Sequence, residues 1–328
     1  MVNSQRAVIK TKMKQVPYLW IKGFIEACCF HRVVILCIRS KSLSIRTGQC
    51  FLLNGFLFLG SIVILNSIVT PTLLWMLPDG CSEALLQWPC SCSAFYSLLR
   101  LTLIQLFYLF WFYPLYIVSF VLSAIWYIEI AKMGSDALGR KVPISTEKAK
   151  NEELNENLQS SERPAGFGGV MLGIGEQIYS ALLLTVFFLE VYATGFVPYV
   201  GKALNFILLS WMYSYYTFEY KWNLSIVSLD KRLHFFESNW AFFAGFGSPC
   251  VGATVFFSPL VSYGIMAVLF PVFVLTATSS EADGVILSPR GNWEGKGLMR
   301  LPIFYVADRT SMRILSFLMK LNILKQDK

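Results

Sequence analysis

Charge is scarce in this chain. Only 15% of its 328 residues are charged, whereas ordinary soluble domains carry about 25%. Residues 50–77, 101–128 and 241–278 contain no Asp, Glu, Lys or Arg. Hydrophobic residues make up 55% of the sequence, and roughly 20 apolar residues are enough to cross a bilayer as a helix. The composition excludes an ordinary water-soluble domain and predicts an integral membrane protein.

The residues of common catalytic and metal sites are also few. The chain has two histidines, His31 and His234, and no cysteine pair spaced as C-x-x-C. It contains no H-E-x-x-H motif, no phosphate-binding loop and no nucleophile elbow, which mark zinc peptidases, nucleotide-binding proteins and hydrolases. We therefore expect no enzyme, no metal site and no cofactor.

Basic residues lie beside the apolar blocks. Residues 1–49 contain nine Lys or Arg and one acidic residue. The net charge of +8 could indicate nucleic acid, but this placement favours anionic lipid headgroups and control of topology. We expect the lipid bilayer, and no nucleic acid, as a partner.

The same residues predict the orientation of the chain in the membrane. The loop 78–93 has no Lys or Arg, whereas 132–176, 219–240 and the tail 279–328 have six, three and eight. Cytosolic loops carry the excess of Lys and Arg. We therefore expect both termini, 132–176 and 219–240 to be cytosolic, and 78–93 to be lumenal.

Two of the apolar blocks are too long for one membrane crossing. As a single helix, 241–278 would be about 57 Å long, whereas the bilayer core is about 30 Å thick. Gly and Pro interrupt 177–218 at Thr194–Lys202, and a second break is expected in 241–278 at Ser258–Gly264. Each block is predicted to be a helical hairpin that penetrates the bilayer fully or partly.

The segment 219–240 between the hairpins has an apolar stripe. Large apolar residues recur every three or four positions, as on one face of a helix: Phe218, Trp222, Ile226, Leu229, Leu233, Phe236 and Trp240. We predict an amphipathic cytosolic helix that lies on the membrane. Its polar residues should be turned away from the stripe: Glu219, Asn223, Asp230, His234 and Glu237.

The predicted fold is an all-α membrane protein with two long transmembrane helices, two hairpins and the amphipathic bridge. A basic cytosolic arm with an amphipathic helix (1–49) precedes the membrane domain (50–278). That domain contains transmembrane helices at 50–77 and 101–128, a flexible cytosolic linker at 132–176, and the two hairpins with their bridge. A cytosolic tail (279–328) follows.

A few polar residues stand out as candidates for function. Glu190 is the only acidic residue between Gln177 and Phe218. An ionisable group in an apolar leg of a hairpin indicates an ion or proton path. Alternatively, this carboxylate lies near a re-entrant turn, where water reaches it or Lys202 forms an ion pair with it. In the lumenal loop, an oxidising compartment would let Cys81 pair with Cys90 or Cys92.

Two long runs resemble a known family. GFVPYVGKALNFILLSWMYSYYTFEYKW and FFESNWAFFAGFGSP are similar to the etoposide-induced protein family of the endoplasmic reticulum. The matching positions are Pro198, Gly201, Phe218, Glu219, Tyr220, Trp222, Asn239, Trp240, Gly245, Gly247 and Pro249. The resemblance implies an endoplasmic-reticulum protein associated with autophagy, with unidentified membrane or autophagy proteins as partners, and no defined reaction. The sequence leaves homo-oligomerisation open.

A more distant resemblance is to the bacterial sulfate permease CysZ. The order Pro198, Gly201, Glu219, Tyr220 is similar, and the resemblance implies two long transmembrane helices and two partly penetrating hairpins. The anion-binding Gly-hydrophobic-Arg motif of that permease falls near Ser44-Ile45-Arg46, where only the arginine matches. Two functions are therefore expected: a scaffold or adaptor in autophagy, or a small-anion channel or permease with Arg46, Glu190 and Lys202 near its path.

Overall fold

Helices make up most of the part of the chain that the structure describes. The computed structural model describes residues 2–76, 91–139, 167–225, 227–282 and 298–326, and within these no strand occurs. The helices, numbered along the chain, are α1 (Val2–Ala27), α2 (Phe30–Arg39), α3 (Lys41–Met76), α4 (Ser91–Phe107, Tyr108–Phe112 and Tyr113–Ala137 without a break), α5 (Phe167–Thr194), α6 (Gly201–Leu224), α7 (Leu229–Ser238), α8 (Trp240–Gly252), α9 (Pro259–Ser279) and α10 (Tyr305–Gln326). The predicted all-α membrane fold is confirmed.

Among the residues that the structure describes, four helical stretches are long and apolar enough to cross a membrane: Lys41–Met76, Ser97–Ala137, Gly175–Thr194 and Leu260–Ser279. With 36 and 41 residues, the first two would be about 54 and 62 Å long. They exceed the bilayer core of about 30 Å, so each extends beyond it. These are the two long helices that the sequence predicted, α3 and α4. However, α3 begins at Lys41 rather than at residue 50.

Both remaining blocks fold as hairpins whose turns are exposed and apolar. The turn between α5 and α6 covers 195–200, and the turn between α8 and α9 covers 253–258. Backbone polar groups at membrane depth need internal partners, and side chains provide them here. Asn205 Nδ2 donates to the Val191 carbonyl (2.7 Å), and Ser262 Oγ donates to the Thr254 carbonyl (2.8 Å). Exposed apolar side chains line the turns: Phe196, Val197, Tyr199, Val200, Val255, Phe256 and Phe257.

The second hairpin turns earlier than predicted. We expected the break at Ser258–Gly264, but Pro259 is the first residue of α9. Proline is favoured there because the first helical residue needs no N–H partner. Gly264 lies inside α9, where a Cβ atom would overlap the side chain of Leu59. This glycine therefore permits packing against α3. The leg before the turn, α8, has 13 residues, about 20 Å, and is too short to cross.

The helix α8 lies at the centre of the core, between α1 and α6. All of its residues from 241 to 248 are buried. A Cβ atom at Gly245 would overlap the Trp20 carbonyl group of α1, and one at Gly247 would overlap the Ser210 carbonyl group of α6. A Cβ atom at Gly23 in α1 would likewise overlap the Phe242 carbonyl group. The three helix backbones can approach this closely only because these positions lack side chains.

The segment predicted as a basic cytosolic arm, 1–49, packs against the other helices. The C-terminal half of α1 packs along α8, and Leu19 and Ala27 are buried in the main core. The helix α3 runs through residue 49 without interruption. A basic segment can still pack on a core, because Lys and Arg lie at the surface of a helix whose other residues face the interior. The cytosolic location of 1–49 stays a prediction.

The bridge 219–240 is not one helix. Residues 225–228 separate α6 from α7, and Arg232 Nε donates to the Val227 carbonyl within this break (2.6 Å). The stripe packs on protein rather than on lipid: Trp222 and Phe236 are buried, and the Phe236 ring stacks on Phe243 of α8 at 4.4 Å between centroids. The periodicity predicted an apolar face, but a helix that covers a protein core has the same pattern as one that covers a membrane.

The glycine contacts of α8 give the first prediction. Gly245→Ala and Gly247→Ala should each lower the free energy of unfolding by about 1–3 kcal/mol, because the added methyl group forces two backbones apart. Gly252→Ala in the same helix is the control, since nothing lies within 4 Å of its added carbon. Thermal unfolding of the purified protein in one detergent measures the three shifts. Equal melting temperatures for all three variants would contradict the close-packing account.

Candidate functional site

Arg46 forms an ion pair between the two long helices. Its Nε lies 2.6 Å from Glu129 Oε2 on α4, its Nη1 donates to Gln49 (3.0 Å), and its guanidinium lies 5.7 Å from the centre of the Trp126 ring. An anion at this arginine would have to compete with the Glu129 carboxylate. The arrangement therefore fits an anchor between α3 and α4.

The structure does not bring Arg46, Glu190 and Lys202 together. Glu190 lies on α5, ten residues beyond Ser180, or about 15 Å along the helix. Its Oε1 is buried without a hydrogen bond, and Lys202 at the start of α6 is exposed. Among the residues described, no ion pair joins Glu190 to Lys202. The structure therefore does not contain the ion pair between Glu190 and Lys202 that was one alternative for this carboxylate.

A buried amide joins three helices within the membrane. Asn54 of α3 is fully buried, and its Nδ2 donates to Ser123 Oγ of α4 (2.9 Å) and to the Cys50 carbonyl (3.1 Å). Ser119 donates to Asn54 Oδ1. Tyr127 OH donates to the Ala267 carbonyl of α9 (3.0 Å). These groups satisfy one another, so the cluster connects helices and offers no open polar path.

Glu219 is buried near the C-terminal end of α6. We predicted that it would face water, but the residue is only 8% exposed. Its Oε1 accepts a hydrogen bond from Ser180 Oγ of α5 at 2.5 Å. Burial raises the pKa of this carboxyl, while the Ser180 hydrogen bond and the charge of Arg232 act in the opposite direction. The carboxylate is held where α5, α6 and α7 meet.

An amide next to Glu219 connects the same three helices. Asn223 Oδ1 on α6 accepts from Gln177 Nε2 of α5 (2.9 Å) and from Arg232 Nη1 of α7 (2.5 Å). Arg232 is only 4% exposed. A buried charge needs partners of this kind. The contacts fix α7 across the ends of the first hairpin.

Glu237 joins the C-terminal tail to α7. It too was expected to face water, but it is 3% exposed. Arg300 Nη2 lies 2.6 Å from its Oε2, and the Phe304 backbone N–H donates to its Oε1 (3.2 Å). Phe304 then packs its ring between Phe187 and Tyr215. The Glu237–Arg300 ion pair and the buried Phe304 ring thus hold the tail against the helices, and α10 packs along α5.

Most of the candidate family residues serve this architecture. Pro198 lies in the first turn, and Gly201 begins α6 where a Cβ atom would clash with the Thr194 carbonyl. The Trp211 indole donates to the Trp240 carbonyl (2.9 Å). The others lie in or beside the core around α6 and α8: Phe218, Glu219, Tyr220, Trp222, Asn239, Gly245, Gly247 and Pro249. Cys81, Cys90 and Cys92 lie outside the described residues, so the disulfide stays a prediction.

Several polar residues of this region were missed from the sequence. Ser180 and Gln177 lie on α5 and Arg300 in the tail, and their partners are 39, 46 and 63 positions away along the chain. Arg232 of α7 contacts Asn223 across the break between α6 and α7. A lone serine or arginine carries no local signal. Within 2–76, 91–139, 167–225, 227–282 and 298–326, no three His, Cys, Asp or Glu residues group as metal ligands.

Comparison with known proteins identifies relatives along most of the chain. A family profile described as "Sulfate transporter CysZ/Etoposide-induced protein 2.4" matches residues 29–271. Protein EI24 homolog of Arabidopsis thaliana is 58% identical over 310 residues, which cover 94% of this chain and 97% of the relative. Protein EI24 homolog of Dictyostelium discoideum is 27% identical over 291 residues, which cover 88% and 81%.

A shorter match is to Ectopic P granules protein 4 of Caenorhabditis elegans, at 29% identity over 82 residues, or 25% of this chain and 26% of the relative. No solved structure matches the chain significantly. The profile match runs from the end of α1 into α9, and so includes the glycine contacts of α8 and the buried carboxylates Glu219 and Glu237. The chain therefore belongs to the EI24 family.

Proposed function

We propose that the chain is a protein of the endoplasmic-reticulum membrane, with both termini in the cytosol, that acts as a scaffold or adaptor in autophagy. The observation that carries the proposal is the platform formed by α7, the docked tail and the adjacent ends of α5 and α6. It is held by Glu219, Asn223, Arg232 and Glu237. Endoplasmic-reticulum location and autophagy come from the resemblance to the etoposide-induced protein family.

The platform is suited to partner binding because its buried hydrogen bonds hold α7 and the tail in place, and with them the exposed side chains that a partner would contact. Next to the Glu237–Arg300 pair lies a cleft of about 610 Å³, whose rim carries Asp230, Lys231 and His234. Charged side chains at the rim of a rigid surface set partner specificity and association rate. A scaffold needs such a surface and does not need a path through the bilayer.

The second candidate is a small-anion channel or permease. It is favoured by the sulfate transporter in the family description and by Arg46 at the motif position. Against it stand the Arg46–Glu129 ion pair and the enclosed Asn54 cluster. Among the described residues, the polar groups at these levels of α3 and α4 therefore contact one another rather than line an opening.

Ion flux separates the two candidates. Liposomes that contain the purified protein and are loaded with sulfate or chloride should lose these anions no faster than loaded liposomes without protein, if the protein is a scaffold. Sulfate or chloride release that requires protein and disappears in Arg46→Gln would overturn the scaffold proposal. The exposed Lys202→Gln serves as a control for loss of one positive charge elsewhere.

Loosening the tail should reduce function without unfolding the membrane domain. Arg300→Gln removes the charge-assisted contact to Glu237, and such hydrogen bonds contribute about 1.5–3 kcal/mol. We expect amide exchange at Leu301 and Phe304 to speed up roughly tenfold to a hundredfold, together with lower autophagic flux in cells. Glu281→Gln, at an exposed carboxylate, should change neither. Faster exchange together with unchanged autophagic flux would show that autophagy does not depend on the docked tail, and would contradict the proposal.

The topology is tested at the sequon Asn223-Leu224-Ser225. We expect Asn223 to stay unglycosylated because its side chain bonds Gln177 and Arg232 on the proposed cytosolic side. Arg232→Ala removes one of the two hydrogen bonds to Asn223 Oδ1. This variant should still carry no glycan at Asn223. An endoglycosidase-sensitive mass shift that maps to Asn223 in either protein would place this end of α6 in the lumen.

A further inference from the structure

A cleft lies between α4 and α5, with α6 as its floor, and neither α7 nor the tail contributes to its lining. Its volume is about 410 Å³. Apolar side chains form its walls: Ile128, Ala131, Ala181, Leu184 and Leu224. Ile128 is exposed on α4, a helix long and apolar enough to cross a membrane, so an acyl chain can enter the cleft from that side. The size and lining suit part of an amphiphile, because ligand sites are mostly apolar with a few placed polar groups.

The polar end of this cleft carries a carboxylate with an unused oxygen. Glu219 lines the cleft, and only its Oε1 is bonded, to Ser180. Among the described residues, no hydrogen bond reaches Glu219 Oε2, and this atom is not enclosed by protein. A ligand group that donates hydrogen bonds and carries positive charge would fill this position best.

Two tyrosines line the same cleft as Glu219. Tyr216 and Tyr220 line the cleft, their hydroxyl groups are 3.0 Å apart, and their ring centroids are 5.4 Å apart. Aromatic faces attract ammonium groups, more strongly where water is excluded. The nearby cation, Arg232, is buried and bonds the Val227 carbonyl and Asn223 Oδ1. It does not line the cleft, so an anion finds no exposed positive charge there.

We propose that this cleft binds an amphiphile with an ammonium headgroup, with the ammonium between Glu219, Tyr216 and Tyr220 and an acyl chain along the α4 and α5 walls. Asn223 also lines the cleft, one helical turn beyond Glu219 on α6, and its amide nitrogen can donate to a phosphate oxygen of the head. Phosphatidylethanolamine and a sphingoid base share the ammonium chemistry. This site shares Glu219 and Asn223 with the platform, but its lining residues differ from those of the cleft beside Glu237 and Arg300.

Lipid binding to the full chain tests the proposal. The detergent-purified protein is titrated with phosphatidylethanolamine, sphingosine, phosphatidylglycerol and a sterol, and native mass spectrometry gives each dissociation constant. We expect phosphatidylethanolamine to bind at least tenfold more tightly than phosphatidylglycerol. Comparable binding of sphingosine supports the ammonium as the recognised group, whereas a tenfold preference for phosphatidylethanolamine over sphingosine supports an added phosphate contact at Asn223.

Two variants locate the binding in the cleft. Glu219→Gln keeps the size of the side chain and removes its charge, and Ala181→Trp fills the cleft from an exposed position of α5. Each should weaken phosphatidylethanolamine binding at least tenfold, whereas Glu281→Gln should leave it unchanged. Phosphatidylglycerol or sterol binding as tight as that of phosphatidylethanolamine would overturn the proposal. So would full binding in Ala181→Trp, which decides the matter even if Glu219→Gln does not fold.

Discussion

The whole arrangement depends on the close approach of three helix backbones at α8. Residues two apart in a helix point in nearly opposite directions, about 200° around the axis. Gly245 therefore faces α1, while Gly247 faces α6. Small residues allow such contact in membrane proteins, where helices associate by packing rather than by exclusion of water. A helix of 13 residues that is buried on both sides can act as the centre of a bundle, although it cannot cross a bilayer.

The position of α8 explains why charged groups are buried at one end of the fold. Since α7 ends immediately before α8, it must lie across the ends of α5 and α6, and the Phe236–Phe243 stack holds it there. In this position α7 places Arg232 near Glu219, and the docked tail covers Glu237 of α7 itself. Burying a carboxylate is costly unless it is bonded, and each has a partner, Ser180 or Arg300. The polar network is thus a consequence of the apolar packing.

The sequence was sufficient where the bilayer itself imposes the constraint. Membrane thickness limits helix length, so the long apolar blocks predicted α3, α4 and two hairpins without knowledge of any contact. It was insufficient where a partner is distant along the chain. Ser180 is 39 positions from Glu219, and Arg300 is 63 positions from Glu237. Gly23 carries no local sign that it meets α8. The stripe at 218–240 indicated an apolar face correctly, yet periodicity cannot distinguish a protein core from a lipid surface.

The distribution of satisfied and unsatisfied polar groups bears on function. In α3 and α4, Asn54 and Arg46 are bonded to other residues of the bundle, and opening a path there would leave buried groups without partners, at about 1–3 kcal/mol each. At the cytosolic ends proposed for α5 and α6, by contrast, Glu219 Oε2 and the rim of the α7 cleft are available to other molecules. If the protein acts as the proposed scaffold, the membrane helices hold this surface in place, and binding there leaves the core around α8 unchanged.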